Sequence, residues 1–79
     1  MPAPLREVVA NALQIDLARV TDDLDFDSAP EWDSVKHITL ILALEGEYGV
    51  TISDDDVVEL TSYPAIRDLI GAQVPEAVG

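Results

Sequence analysis

The triplet Asp33-Ser34-Val35 sets one hydroxyl beside one carboxylate, where an acid-rich segment gives way to a long apolar pattern over residues 35–48. A helix starting there would present backbone N–H groups that have no partner inside the helix, together with the positive end of its macrodipole. A phosphate ester on the Ser34 hydroxyl would sit in that favourable field. The chemistry suggested is a serine that bears a phosphate or phosphodiester. The plainer reading is capping, because Ser and Asp are favoured N-cap residues and most such pairs only accept a backbone N–H.

Other residues invite chemical readings that their surroundings weaken. Asp23, Asp25 and Asp27 alternate as in a calcium loop, but Ser28 stands where the sharp turn needs glycine and Ser34 where a bidentate glutamate is needed. These acids read as a solvated surface that steers partners. Asp54, Asp55 and Asp56 follow Ser53 as first-turn acids follow a cap, favoured there by the helix dipole. His37 is the only histidine and the chain has no cysteine, so a zinc site has no ligand set. Its expected role is a packed histidine at the core edge. A triad of Ser34, His37 and Asp33 is not expected, since Ser and His three apart at a helix start need not meet with an orienting carboxylate behind them.

The elements that must position these residues follow from apolar spacing. Leu5, Val8, Val9, Ala12 and Leu13 form a helical stripe, and Pro4 suits a first turn, which predicts a helix over residues 4–14. Residues 16–33 lose the period and hold seven acids against one base, a long loop that Leu17, Val20, Leu24 and Phe26 should pin across the bundle. A second helix is expected over residues 34–48, with Gly49 ending it. On a helical wheel Ile38, Ile41, Leu44 and Tyr48 share the arc expected to face the core. Lys36, Thr39, Ala43, Gly46 and Glu47 fall opposite, with Val35 and Leu42 at the margin, as the docking side beside Ser34. A short third helix should follow Ser53, and a fourth should begin at Thr61-Ser62-Tyr63-Pro64 and end within residues 71–74. The tail, residues 75–79, has no period and is expected to be loose. Four helices in one domain over residues 1–79 is therefore the expected fold.

Composition narrows the function. A chain of 79 residues buries only about 60–65% of its unfolded surface, which leaves no room for a deep substrate cavity. With 48% hydrophobic residues it should fold despite a net charge of −12. Sixteen acids against four bases would repel nucleic acid and favour basic partner surfaces. The longest apolar run, residues 40–44, is too short to span a bilayer, and the N-terminus lacks a secretory pattern. A cytoplasmic monomer is expected, with no membrane partner. With no cysteine, any thiol chemistry has to come from a cofactor.

The run Glu31-Trp32-Asp33-Ser34-Val35-Lys36-His37-Ile38-Thr39-Leu40, with Ala43-Leu44-Glu45-Gly46-Glu47-Tyr48 downstream, resembles the acyl or peptidyl carrier proteins. The resemblance covers nearly the whole chain. It implies an all-α, small four-helix bundle of the acyl-carrier type with a long loop between the first two helices. It also implies a non-catalytic carrier. In that family the serine after the aspartate carries 4′-phosphopantetheine, here Ser34 flanked by Asp33 and Val35. A phosphopantetheinyl transferase using magnesium and coenzyme A would attach the arm covalently. Acyl, ketide or aminoacyl groups would then ride on its thiol as thioesters between loading, condensing and modifying enzymes.

The expected partner-binding set is Trp32, Val35, Lys36, Thr39, Leu42, Glu45, Glu47, Asp54 and Asp55. Trp32 is expected to anchor the loop and also to reach the arm or a partner. Family members usually read Gly-x-Asp-Ser-Leu, whereas this chain has Glu31, Trp32 and Val35 at the variable positions. Fatty-acid carriers tend to be acidic where it has Lys36 and Thr39. The likeness therefore points to a free-standing carrier in a specialised polyketide, nonribosomal-peptide or related biosynthetic pathway. An aminoacyl carrier of the D-alanyl type and an unmodified acidic helical adaptor are the alternatives.

Overall fold

The computed structural model describes residues 3–78. Four α-helices follow in order: α1, Leu5–Leu13; α2, Ser34–Tyr48; α3, Asp54–Glu59; and α4, Tyr63–Gln73. The all-α four-helix architecture with a long first connection is the one expected from the sequence. Each boundary has a local cause. Pro4 caps α1, where a missing N–H costs nothing, and α1 ends on Gln14 in the left-handed region at φ 58°. α2 ends on Gly49 at φ 65°, a conformation that glycine adopts without a Cβ penalty. Ser62 caps α4 by accepting from Ala65 N at 3.3 Å.

The helices bury Leu5, Val9 and Leu13 of α1, Leu40 and Leu44 of α2, and Ile66 and Ile70 of α4, each almost completely. This core corrects the α2 wheel. Ile38 is 55% exposed, whereas Leu40 is fully buried. His37, Leu40, Ile41, Leu44 and Tyr48 fall within a sector about 100° wide, and Ile38 lies outside it. Apolar character alone misled because α2 is apolar on more than one face.

The long first connection is held at several points. One 3-10 turn, Leu17–Arg19, begins it. Arg6 reaches across to the carbonyls of Val20 at 3.1 Å and Leu17 at 3.2 Å. An isolated antiparallel bridge between Asp25 and Ser62 joins the connection to the start of α4. Its bonds run from Phe26 N to Thr61 O, 2.8 Å, and from Tyr63 N to Leu24 O, 2.9 Å. Val20 and Leu24 are buried as expected and Phe26 is partly buried, but Leu17 is 43% exposed. The short turn that begins the loop carries Leu17 outward, and Ala29 and Trp32 supply further buried anchors.

Beyond α4 the chain turns back on itself. Pro75–Ala77 forms a second 3-10 turn and buries Ala77, and Val78 packs over Gly71 so closely that a Cβ there would meet it at 3.1 Å. The physical reason is an apolar Ala77 and Val78 returning onto the end of α4, a contact too short in sequence to show as a period. Gly79 lies outside the described residues.

Candidate functional site at the start of α2

α2 begins over a cluster of aromatic rings. Trp32 is 2% exposed, with its ring 6.1 Å from Phe26 and 5.9 Å from His37, centroid to centroid. The Trp32 indole N–H donates to His37 Nδ1 at 3.1 Å, and His37 Nε2 donates to the Val57 carbonyl at 2.7 Å. An indole N–H only donates and a carbonyl only accepts, so this pair selects the tautomer with hydrogen on Nε2. His37 is thus the packed histidine expected. Trp32 is the expected loop anchor, but it is buried and offers no surface to an arm or partner in this structure.

On that foundation Asp33 adopts extended backbone and caps α2. Its Oδ1 accepts from Lys36 N at 2.8 Å, and its carbonyl accepts from His37 N at 2.8 Å. The N–H groups of Ser34 and Val35 lack an intrahelical partner. Ser34, the next residue, is exposed, and among the described residues its hydroxyl makes no hydrogen bond. Of the other three serines, two spend their hydroxyls as helix caps. Ser53 accepts from Asp56 N at 3.2 Å and Ser62 from Ala65 N at 3.3 Å. Ser28 donates its backbone N–H to Asp25 Oδ1 at 2.7 Å, which holds the Asp25 carboxyl below its ordinary range.

Beside Ser34 lies a groove of about 320 Å³, walled by Phe26, His37, Ile38, Val58 and Thr61. Val35 at 72%, Ile38 at 55% and Leu42 at 63% exposure run along α2, and Val58 at 71% faces outward from α3. Wheel reasoning missed Ile38 here, and nothing in a six-residue apolar pattern could tell Val58 from Val57.

The rest of the expected partner set divides into two groups. Thr39 is exposed and returns its hydroxyl to the Val35 carbonyl at 3.1 Å. Asp54 and Asp55 are exposed in the first turn of α3. The remaining charged residues have partners within the chain. Lys36 donates to Gln14, Glu45 accepts from Ile52 N at 2.8 Å, and Glu47 accepts from Ala3 N at 3.2 Å. Glu31, at the position where the resemblance expects glycine, pairs with Arg19, which holds its carboxyl below the ordinary range.

A tethered phosphodiester fits this site. The hydroxyl is exposed and unspent, two N–H groups lie at its base, and among the described residues no carboxylate besides the capping Asp33 is engaged at the helix start. Among the described residues no helix is long and apolar enough to cross a membrane.

The family model described as a phosphopantetheine attachment site matches residues 3–72. Over 70 residues the chain is 36% identical to polyketide-8 synthase acyl carrier protein 2 of Streptomyces avermitilis, covering 89% of this chain and 80% of that one. It is 31% identical over 70 residues to an acyl carrier protein of Thermosynechococcus vestitus, covering 89% of this chain and 86% of that protein. The solution structure of a holo acyl carrier protein from Geobacter metallireducens shares the fold at a TM-score of 0.78 and 21% identity, covering 91% of this chain and 83% of that one. The chain belongs to the phosphopantetheine attachment-site family, the family of the acyl carrier proteins, whose cofactor is covalently attached 4′-phosphopantetheine.

Proposed function

We propose that Ser34 is the attachment point and that the chain carries acyl or ketide groups for partner enzymes of a specialised polyketide or related pathway. The observation that carries the site is the free Ser34 hydroxyl beside a cap already made by Asp33. Its 36% identity to a polyketide synthase carrier supports the pathway class.

A phosphopantetheinyl transferase would dock on the apolar side of α2. Ser34 Oγ attacks the β-phosphorus of coenzyme A and loses its proton to a base of the transferase. The pyrophosphate P–O bond breaks, and the nucleotide half leaves with the electron pair. Asp33 keeps α2 from fraying, so the hydroxyl stays presented. The bound arm supplies the thiol on which cargo is held as a thioester. The chain itself positions the arm and docks its partners, and its tether raises the effective concentration of cargo at each one. Steering falls to the exposed acids Asp54 and Asp55, and close contact to Val35 and Leu42.

Incubation with coenzyme A and a promiscuous transferase tests the reading by intact mass. One arm is expected on the wild type and none on Ser34→Ala. A wild type left unmodified under conditions that load a control carrier would favour the acidic-adaptor alternative.

A further inference from the structure

We infer that His37 is a positioning residue for docking of the phosphopantetheinyl transferase: through the Val57 carbonyl it holds Val58 of α3 opposite Ile38 of α2, so that both flank Ser34. This rests on the reading of Ser34 as the attachment point. α3 has only six residues, too short to be stable by its own hydrogen bonds. Its last carbonyls have no partner inside the helix, and Val57 is among them. His37 Nε2 supplies that partner at 2.7 Å. Among the described residues this is the one side-chain hydrogen bond between α3 and another helix. Ile52 and Leu60 are buried on either side of α3, so its two ends are anchored by packing and its middle by His37.

His37 is itself held from behind by the Trp32 N–H at 3.1 Å and by the Phe26 ring at 6.0 Å. A chain of contacts therefore runs from the connecting loop through α2 to α3, directly beneath the attachment residue. Val58 follows Val57 immediately and stands 71% exposed, as Ile38 stands 55% exposed one residue after His37. Both wall the groove at Ser34. Two exposed apolar residues on different helices form one docking face only if the helices keep their spacing. In this fold His37 sets that spacing.

The two bonds of His37 can be separated. His37→Asn keeps an acceptor near the Nδ1 position for Trp32 but falls short of Val57. His37→Gln keeps a donor near the Nε2 position for Val57. The measurement is steady-state arm transfer to Ser34 from coenzyme A, with carrier concentration varied, alongside thermal melts of each variant. His37→Asn is expected to raise KM for the carrier roughly tenfold with kcat little changed, because only binding is weakened. His37→Gln should restore KM toward wild type whatever its melting temperature.

Val58→Ala should raise KM as well, and adding it to His37→Asn should cost little more, because both changes remove the same contact. If KM follows melting temperature equally in the Asn and Gln variants, or if the Asn and Val58→Ala effects simply add, His37 serves stability alone and the inference fails. A wild type that takes no arm at all would instead overturn the assignment of Ser34.

Discussion

Two helices of this chain begin with the same pair of residues in opposite order, and the order decides what each start can do. At α2 the aspartate comes first: Asp33 caps the helix and Ser34 keeps its hydroxyl. At α3 the serine comes first: Ser53 spends its oxygen on Asp56 N, and Asp54 is left exposed to solvent. The first arrangement leaves over a nucleophile and the second leaves over a charge. Their surroundings diverge in the same sense. The α2 start rests on buried Trp32 and borders the exposed apolar residues Val35 and Ile38, whereas the α3 start carries Asp54, Asp55 and Asp56. A hydroxyl at a helix start is available only when another residue makes the cap.

The contrast depends first on α2 staying anchored. Leu44→Asp puts an unpaired charge in the fully buried core and should cost about 3–5 kcal/mol, against about 4–12 kcal/mol expected for the whole domain. Unfolding, or a large drop in melting temperature, is the expected outcome by circular dichroism. Ile38→Asp should leave the melt within about 0.5 kcal/mol of wild type, since Ile38 is solvent-facing. Equal effects at the two positions would mean that the burial described for α2 is rotated.

Removing the caps sharpens the comparison. Asp33→Ala and Ser53→Ala should each cost about 1 kcal/mol in denaturant melts. Only Asp33→Ala should also slow arm addition, because only the α2 cap presents Ser34, the proposed attachment point. If Ser53→Ala slows addition as much, the two starts are functionally equivalent.

The charge left over at α3 has a smaller, kinetic consequence. The double variant Asp54→Asn, Asp55→Asn should lower the rate of association with the transferase a few-fold at low salt, roughly in line with the modest worth of rim charges, and flatten its salt dependence. Stopped-flow rates unchanged at low salt would reduce these acids to helix-dipole partners. The smallest effect belongs to the far end of α2, where burial pushes the Tyr48 phenol from an ordinary 10.0 up to about 12 while its O–H donates to the Ala3 carbonyl at 2.7 Å. The stability this provides is full below the unfolded value and fades as pH rises through the folded one. Wild type should therefore lose stability between pH 10.0 and about 12, and Tyr48→Phe should lose less over that window.

Much of this was legible in the sequence for local reasons. Gly49, Pro4 and the serines before α3 and α4 act within a few residues, so helix number and order could be read from spacing and caps. Asp33-Ser34 was legible as a helix start for the same reason. The phase of α2 was not, since Val35, Ile38, Leu40, Ile41, Leu42 and Leu44 give apolar side chains to several faces and only packing selects among them. Nor were the Trp32–His37–Val57 bonds, which join a loop to two helices across 20 residues of sequence between His37 and Val57. The partners of Glu45 and Glu47 were equally hidden, because a surface acid and an acid holding a backbone N–H look alike in sequence.

The decisive measurement is residue-level mapping of the arm by fragmentation mass spectrometry after loading from coenzyme A. It should be made on wild type and on the exchange variant Ser53→Asp, Asp54→Ser, which frees a hydroxyl at the start of α3. All of the arm is expected on Ser34 in both proteins, because the hydroxyl at position 54 has no apolar α2 face beside it. An arm on Ser28, Ser53 or Ser62 of the wild type would contradict the assignment of Ser34, the unspent hydroxyl at the start of α2.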